Sequence, residues 1–118
     1  MTDTAENDFR IDREGDTVIV RIFAQELTMF HVPEVRADVM SVVQENPARI
    51  LFDFTPTSFI DSSAIALLFK VSQQISQSGA RMGVCGLRPS LLQVLQTVVK
   101  RGGIEFYESV DAALAAGD

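Results

Sequence analysis

The chain is 118 residues long and 47% hydrophobic, with 10 Lys and Arg against 16 Asp and Glu for a formal net charge of −6. That length suits one domain burying roughly two-thirds of its unfolded surface, and no apolar run approaches the ~20 residues of a membrane span. An acidic chain is repelled by nucleic acid and by anionic membranes, which excludes both as main partners and leaves a basic protein surface as a fitting target.

In chain order, residues 1–7 read as a short disordered lead and 8–118 as a single domain. Phe9, Ile11 and Arg13 alternate toward the turn signal Glu14-Gly15-Asp16, and Thr17-Val-Ile-Val-Arg-Ile-Phe23 follows as a better-buried strand. Together they predict a hairpin. Pro33 suits a first helical turn, with Glu34 at the positive end of the dipole. Val32, Val35, Val39, Val42 and Val43 then recur at helical spacing until Asn46-Pro47. Arg49-Ile-Leu-Phe-Asp-Phe54 reads as a buried strand, and Ser58-Phe59-Ile60 as its short continuation beyond Thr55-Pro56-Thr57.

A helix is expected from about Ser63 to Ser78, with Ile65, Leu68, Phe69, Ser72 and Ile75 on one face and Gly79 as its stop. Arg81-Met-Gly-Val-Cys85 is the next strand. Ser90 then caps a helix carrying Leu91, Val94, Leu95 and Val98 that ends near Arg101-Gly102-Gly103. Ile104-Glu-Phe106 makes a last strand, and Ser109 opens a closing helix that runs to Ala116. Strands alternating with helices imply a small mixed α/β fold: a mostly parallel sheet, an antiparallel hairpin at its start, and about four helices.

Most catalytic constellations are missing. His31 is the sole histidine and is expected at the surface or as a cap, and one histidine with one cysteine falls short of zinc-site spacing. There is no Gly-x-Gly-x-x-Gly and no phosphate loop. A phospho-aspartate receiver centred on Asp53 would need an acidic pair ending the first strand and a lysine ending a late one. Val18–Phe23 and Ile104–Phe106 supply neither, so Asp53 reads as a strand-end, loop-organising carboxylate. No cofactor, metal or enzymatic activity is expected. Cys85 cannot form an internal disulfide, and the acidic, polar stretch from Met1 to Asp8 lacks the regions of a secretion signal, so the expected location is cytoplasmic.

What remains is Phe59-Ile60-Asp61-Ser62-Ser63-Ala64. Asp and Ser at a strand-to-helix junction are preferred N-caps, worth about 1 kcal/mol. The same place gathers free backbone N–H groups and the positive dipole end, which stabilise an anion. A phosphoserine would add about −1.5 to −2 charges there without breaking the helix. A plain cap and a switchable hydroxyl both fit the local pattern.

The surrounding frame separates them. Phe59-Ile-Asp-Ser-Ser-Ala64, the early helical Lys70, Gly86-Leu-Arg-Pro89, Pro33-Glu-Val-Arg36 and the closing Phe106–Leu114 together resemble the STAS domain of bacterial anti-sigma factor antagonists. The resemblance runs from about Asp8 to Ala116. It implies the STAS fold, a non-enzymatic binding module, and Ser62 as phosphoacceptor with Asp61 shaping the loop. Ser63, Ala64, Glu26 and Thr28 complete the implied switch loop. The implied partners are an anti-sigma factor that is also a serine-protein kinase and a serine phosphatase that reverses it, with no direct nucleic acid contact and no membrane insertion. Unphosphorylated, such a module binds the kinase and releases a sigma factor.

This chain departs from the family pattern at Gln25-Glu26-Leu27-Thr28, where Gly-Glu-Leu-Asp is common, and at Ala64, where Gly is usual. The departures support an alternative, a constitutive STAS adaptor in a transporter ATPase complex or a signalling scaffold.

Overall fold

The structure is a computed structural model and describes residues 8–98 and 103–117. The expected N-terminal lead (residues 1–7) and the end of the third helix near Arg101-Gly102 lie outside them. Strands β1 (Phe9–Glu14) and β2 (Thr17–Ile22) form the antiparallel hairpin, in register from Phe9↔Ile22 to Glu14↔Thr17. After them come β3 (Glu26–Leu27), α1 (Val32–Gln44), β4 (Arg49–Asp53), β5 (Phe59–Ile60), α2 (Ser62–Ser78) and β6 (Arg81–Cys85). The chain closes with α3 (Pro89–Val98), β7 (Ile104–Tyr107) and α4 (Val110–Ala116). The main sheet has the order β1-β2-β4-β6-β7, and every pairing after the hairpin is parallel.

Period-2 alternation sorts the central strands into two faces. Val18, Val20, Ile22, Ile50, Phe52, Met82 and Val84 point to the side covered by α1 and α2 and form the larger core with Val35, Val39, Leu68, Val71 and Ile75. Ile19, Leu51 and Cys85 point the other way and are closed over by Val110 and Ala113 of the short α4. Each fully buried Val, Leu, Ile or Phe contributes roughly 1.5–3 kcal/mol. The valine stripe of α1 therefore docks that helix on the sheet. Gly79 ends α2 in the left-handed region at φ 89°, open to a residue without Cβ.

Four expectations are corrected. Phe59-Ile60 does not continue β4; it pairs in parallel with Glu26-Leu27 in a separate two-stranded ribbon. The break is physical: Thr57 turns back, its N–H donating to Phe54 O and its hydroxyl to Ala24 O, both at 2.8 Å. The buried face of α2 is Ala64, Leu67, Leu68, Val71 and Ile75, while Phe69 faces out, 41% exposed. Ser90 is the second residue of α3 and not its cap, because Pro89 already lies in the helix. His31 occupies the N-cap position of α1 but makes no side-chain cap bond, and its ring is largely covered.

Gly86 packs against the turn that follows β4. At φ 74° its backbone lies against the Thr55 turn, and a Cβ there would stand 2.4 Å from Thr55 Oγ1. That turn is organised by Asp53, whose Oδ1 accepts from the Thr55 hydroxyl at 2.6 Å and its N–H at 3.0 Å. Asp53 Oδ2 accepts from Arg21 Nη1 at 3.1 Å. Asp53 is thus the loop-organising carboxylate its place in the sequence suggested.

Candidate functional site

The β3–β5 ribbon carries the loops that frame the start of α2. Ser58 and Phe59 N–H groups donate to Gln25 O, and Asp61 N–H donates to Leu27 O at 3.0 Å. Leu27 and Ile60 pair with each other and point into the core, 2% and 5% exposed, so the residues before them, the paired Glu26 and Phe59, point outward. The next residue, Asp61, is the N-cap of α2 in extended backbone.

Its carboxylate binds both loops at once. Oδ1 accepts from Ala64 N–H at 2.9 Å, satisfying one orphan donor of the first turn. Oδ2 accepts from Met29 N–H at 2.9 Å, reaching across to the connection between β3 and α1. Ser62 and Ser63 are the first two helical residues and are exposed. Their backbone N–H groups have no acceptor among the described residues, which leaves donors and the positive dipole end beside both hydroxyls. Ala64 is fully buried, so its methyl packs inward and holds the helix start against the core.

The site residues named from the sequence therefore share one end of the molecule. Asp61, Ser62, Ser63 and Ala64 are consecutive at the start of α2, Glu26 is exposed on β3, and Thr28 opens the adjoining loop. Thr28 holds that loop by three bonds. Its carbonyl accepts from His31 N–H at 2.9 Å, its N–H donates to His31 Nδ1 at 3.1 Å, and its hydroxyl accepts from Phe30 N–H at 3.4 Å.

Sequence reasoning missed the apolar rim. Met29 is 62% exposed and Phe30 86%, on the loop between β3 and α1, and Phe59 is 49% exposed on β5. Monomeric proteins seldom leave large apolar side chains clustered in water without a partner. Two adjacent large apolar residues between a strand and a helix-opening proline were the available signal.

Among the described residues no cluster of three or more His, Cys, Asp and Glu is placed to hold a metal ion. Cys85 is fully buried, and burial first, with Asp53 beside it, pushes its thiol up to about 12. It is therefore not a nucleophile at neutral pH. No described helix is long and apolar enough to cross a membrane.

Comparison with known proteins places this geometry. A family model of the STAS domain matches residues 8–113. A search of curated protein sequences finds no match. Among solved structures, an anti-sigma-factor antagonist (STAS) domain protein from Planctomyces limnophilus is 22% identical with a TM-score of 0.79, covering 92% of this chain and 97% of that one. The Bacillus cell fate determinant SpoIIAA in its phosphorylated form is 20% identical with a TM-score of 0.75, covering 93% and 99%. Murine Slc26a9, an anion transporter, is 16% identical with a TM-score of 0.73, covering 89% of this chain and 18% of that one. With the family model spanning nearly all the described residues and the same architecture recurring in these structures, the chain belongs to the STAS domain family.

Proposed function

We propose that this protein is an anti-sigma factor antagonist, a phosphorylation-switched binding module that is not itself an enzyme. Unphosphorylated at Ser62, it binds an anti-sigma factor that is also a serine-protein kinase and so frees a sigma factor; a serine phosphatase resets the switch. The observation that carries this reading is the placement of the Ser62 hydroxyl: exposed, first in α2, beside unpaired helix N–H groups and inside an apolar rim of Met29, Phe30 and Phe59. In the bound state those side chains would supply the buried centre of the interface. A phosphate at Ser62 would put about −1.5 to −2 charges next to the Asp61 carboxylate and into that apolar contact. Desolvating it there is costly, so the partner releases while the fold persists. The test is incubation with the host's ATP-dependent anti-sigma kinase, followed by intact mass. One added phosphate that disappears in Ser62→Ala is expected; no addition, or addition that survives Ser62→Ala, refutes the assignment.

A second reading is favoured by the Slc26a9 likeness and by Thr28 and Ala64: a constitutive adaptor in a transporter complex or signalling scaffold. It predicts that Ser62→Asp leaves partner affinity unchanged, where the switch model predicts its loss.

A further inference from the structure

We propose that His31 is a positioning residue for the Asp61–Ser62 site and makes it respond to proton concentration. The ring is held from two sides. Nδ1 accepts from Thr28 N–H at 3.1 Å, which requires a lone pair there and fixes the neutral tautomer with its proton on Nε2. Nε2–H donates to Asp8 Oδ2 at 2.9 Å. Asp8 is itself anchored, its carbonyl accepting from Phe23 and Ala24 N–H groups at the end of β2.

The ring thereby closes the turn from Thr28 to His31, and the residue inside that turn, Met29, donates its N–H to Asp61. A continuous chain of bonds runs from Asp8 through His31, Thr28 and Met29 to Asp61, and from Asp61 to Ala64 N–H. A proton on Nδ1 sets two N–H donors against each other and breaks the bond to Thr28. The Thr28 hydroxyl stands 3.5 Å from Nδ1 and is the neighbouring acceptor the protonated ring would take. Taking it swings the Thr28 peptide and draws Met29 N–H from Asp61, loosening the cap beside Ser62.

Both ring nitrogens are in contact. Asp8, from the segment before β1, bonds Nε2, and Thr28 N–H bonds Nδ1. Glu26 on β3, Glu34 in the first turn of α1 and Asp61 at the start of α2 are the other carboxylates of this end, and among the described residues only Asp8 reaches the ring.

The experiment is a pH titration of the whole ¹⁵N-labelled protein followed by NMR. The His31 ring, the Met29 amide and the Ala64 amide are expected to share one midpoint, while Ala112, capped by Ser109 in α4, stays still. In His31→Gln that transition disappears from both amides. In Asp8→Asn, which keeps the ring but exchanges the charged acceptor of Nε2–H for an amide, the two amides still move together with the ring. Met29 and Ala64 amides that ignore the His31 midpoint, that keep the transition in His31→Gln, or that part from the ring in Asp8→Asn overturn the proposal. The consequence for phosphorylation rests on the Ser62 reading: the pH profile of phosphate uptake should show an inflection at the same midpoint, lost in His31→Gln. A protein that takes no phosphate fails that reading alone, and the amides still decide the coupling.

Discussion

Asp61→Ala removes one acceptor group and two bonds, and the two can be separated. The bond to Ala64 N–H is an N-cap, worth about 1 kcal/mol. The bond from Met29 N–H has a charged acceptor, a class worth ~1.5–3 kcal/mol when shielded, which its solvent-exposed setting reduces to about 1 kcal/mol. The expected loss is therefore about 2 kcal/mol, a fall in Tm of roughly 8 °C for a chain of this size. Ser109→Ala is the internal reference, because Ser109 caps α4 through Ala112 N–H at 3.0 Å and bridges to no second loop. It should lose about 1 kcal/mol. Asp61→Asn keeps an oxygen for the cap but turns an NH₂ donor on the Met29 N–H, so it too should lose about 1 kcal/mol while speeding hydrogen exchange at Met29. Urea unfolding of the three variants gives the differences. If Asp61→Ala loses no more than Ser109→Ala, or Met29 exchange is unchanged in Asp61→Asn, Asp61 is a cap and nothing more.

Gly86→Ala should lose roughly 3 kcal/mol, from the left-handed backbone and the Cβ meeting Thr55 Oγ1 at 2.4 Å, with amide shift changes centred on residues 53–57. Cys85 should resist thiol reagents at pH 8 in the folded protein and react at once in denaturant. Because the folded thiol titrates near 12 against an ordinary 9.0, the folded state holds the proton more tightly, so this contribution is complete below pH 9 and lost as pH rises through that window. Tyr107, raised by its bond to Glu105 and by burial, acts with the same sign, so Cys85→Ala should flatten the alkaline loss in part. Arg49→Met strips the guanidinium that donates to Ala113 O at 3.0 Å and Gly117 O at 3.1 Å, leaving Ala113 O with Gly117 N–H alone and Gly117 O with the longer bond from Arg81 Nη1 at 3.4 Å. It should destabilise by about 2 kcal/mol, with exchange rising first in α4.

The elements that could be read from sequence are those whose pattern repeats locally. The valines of α1 and the alternation through β1 and β2 extend over several periods, and the Asp-Ser-Ser junction has cap chemistry that needs no distant partner. The ribbon could not be read, because two residues show no period and Leu27 meets Ile60 only after the whole of α1 and β4. The buried side of α2 was ambiguous for a different reason. Ile65, Leu67, Leu68, Phe69 and Val71 encircle most of the helix, and only the position of the sheet decides that Phe69 is left out. His31 gave no signal, since its role depends on Asp8, at the start of the described chain and beside it only in the fold.

The ribbon also limits how this site can diverge. Its register places Leu27 and Ile60 inward and Glu26 and Phe59 outward, with a side-chain period of two. A slip of one residue in that pairing would turn Ile60 to solvent and aim Asp61 at the core, dismantling the start of α2. The register is therefore fixed, while Glu26, Met29, Phe30 and Phe59 are bound mainly through their backbones and are free to change chemistry. A scaffold built this way acquires new partners by point substitution around Ser62.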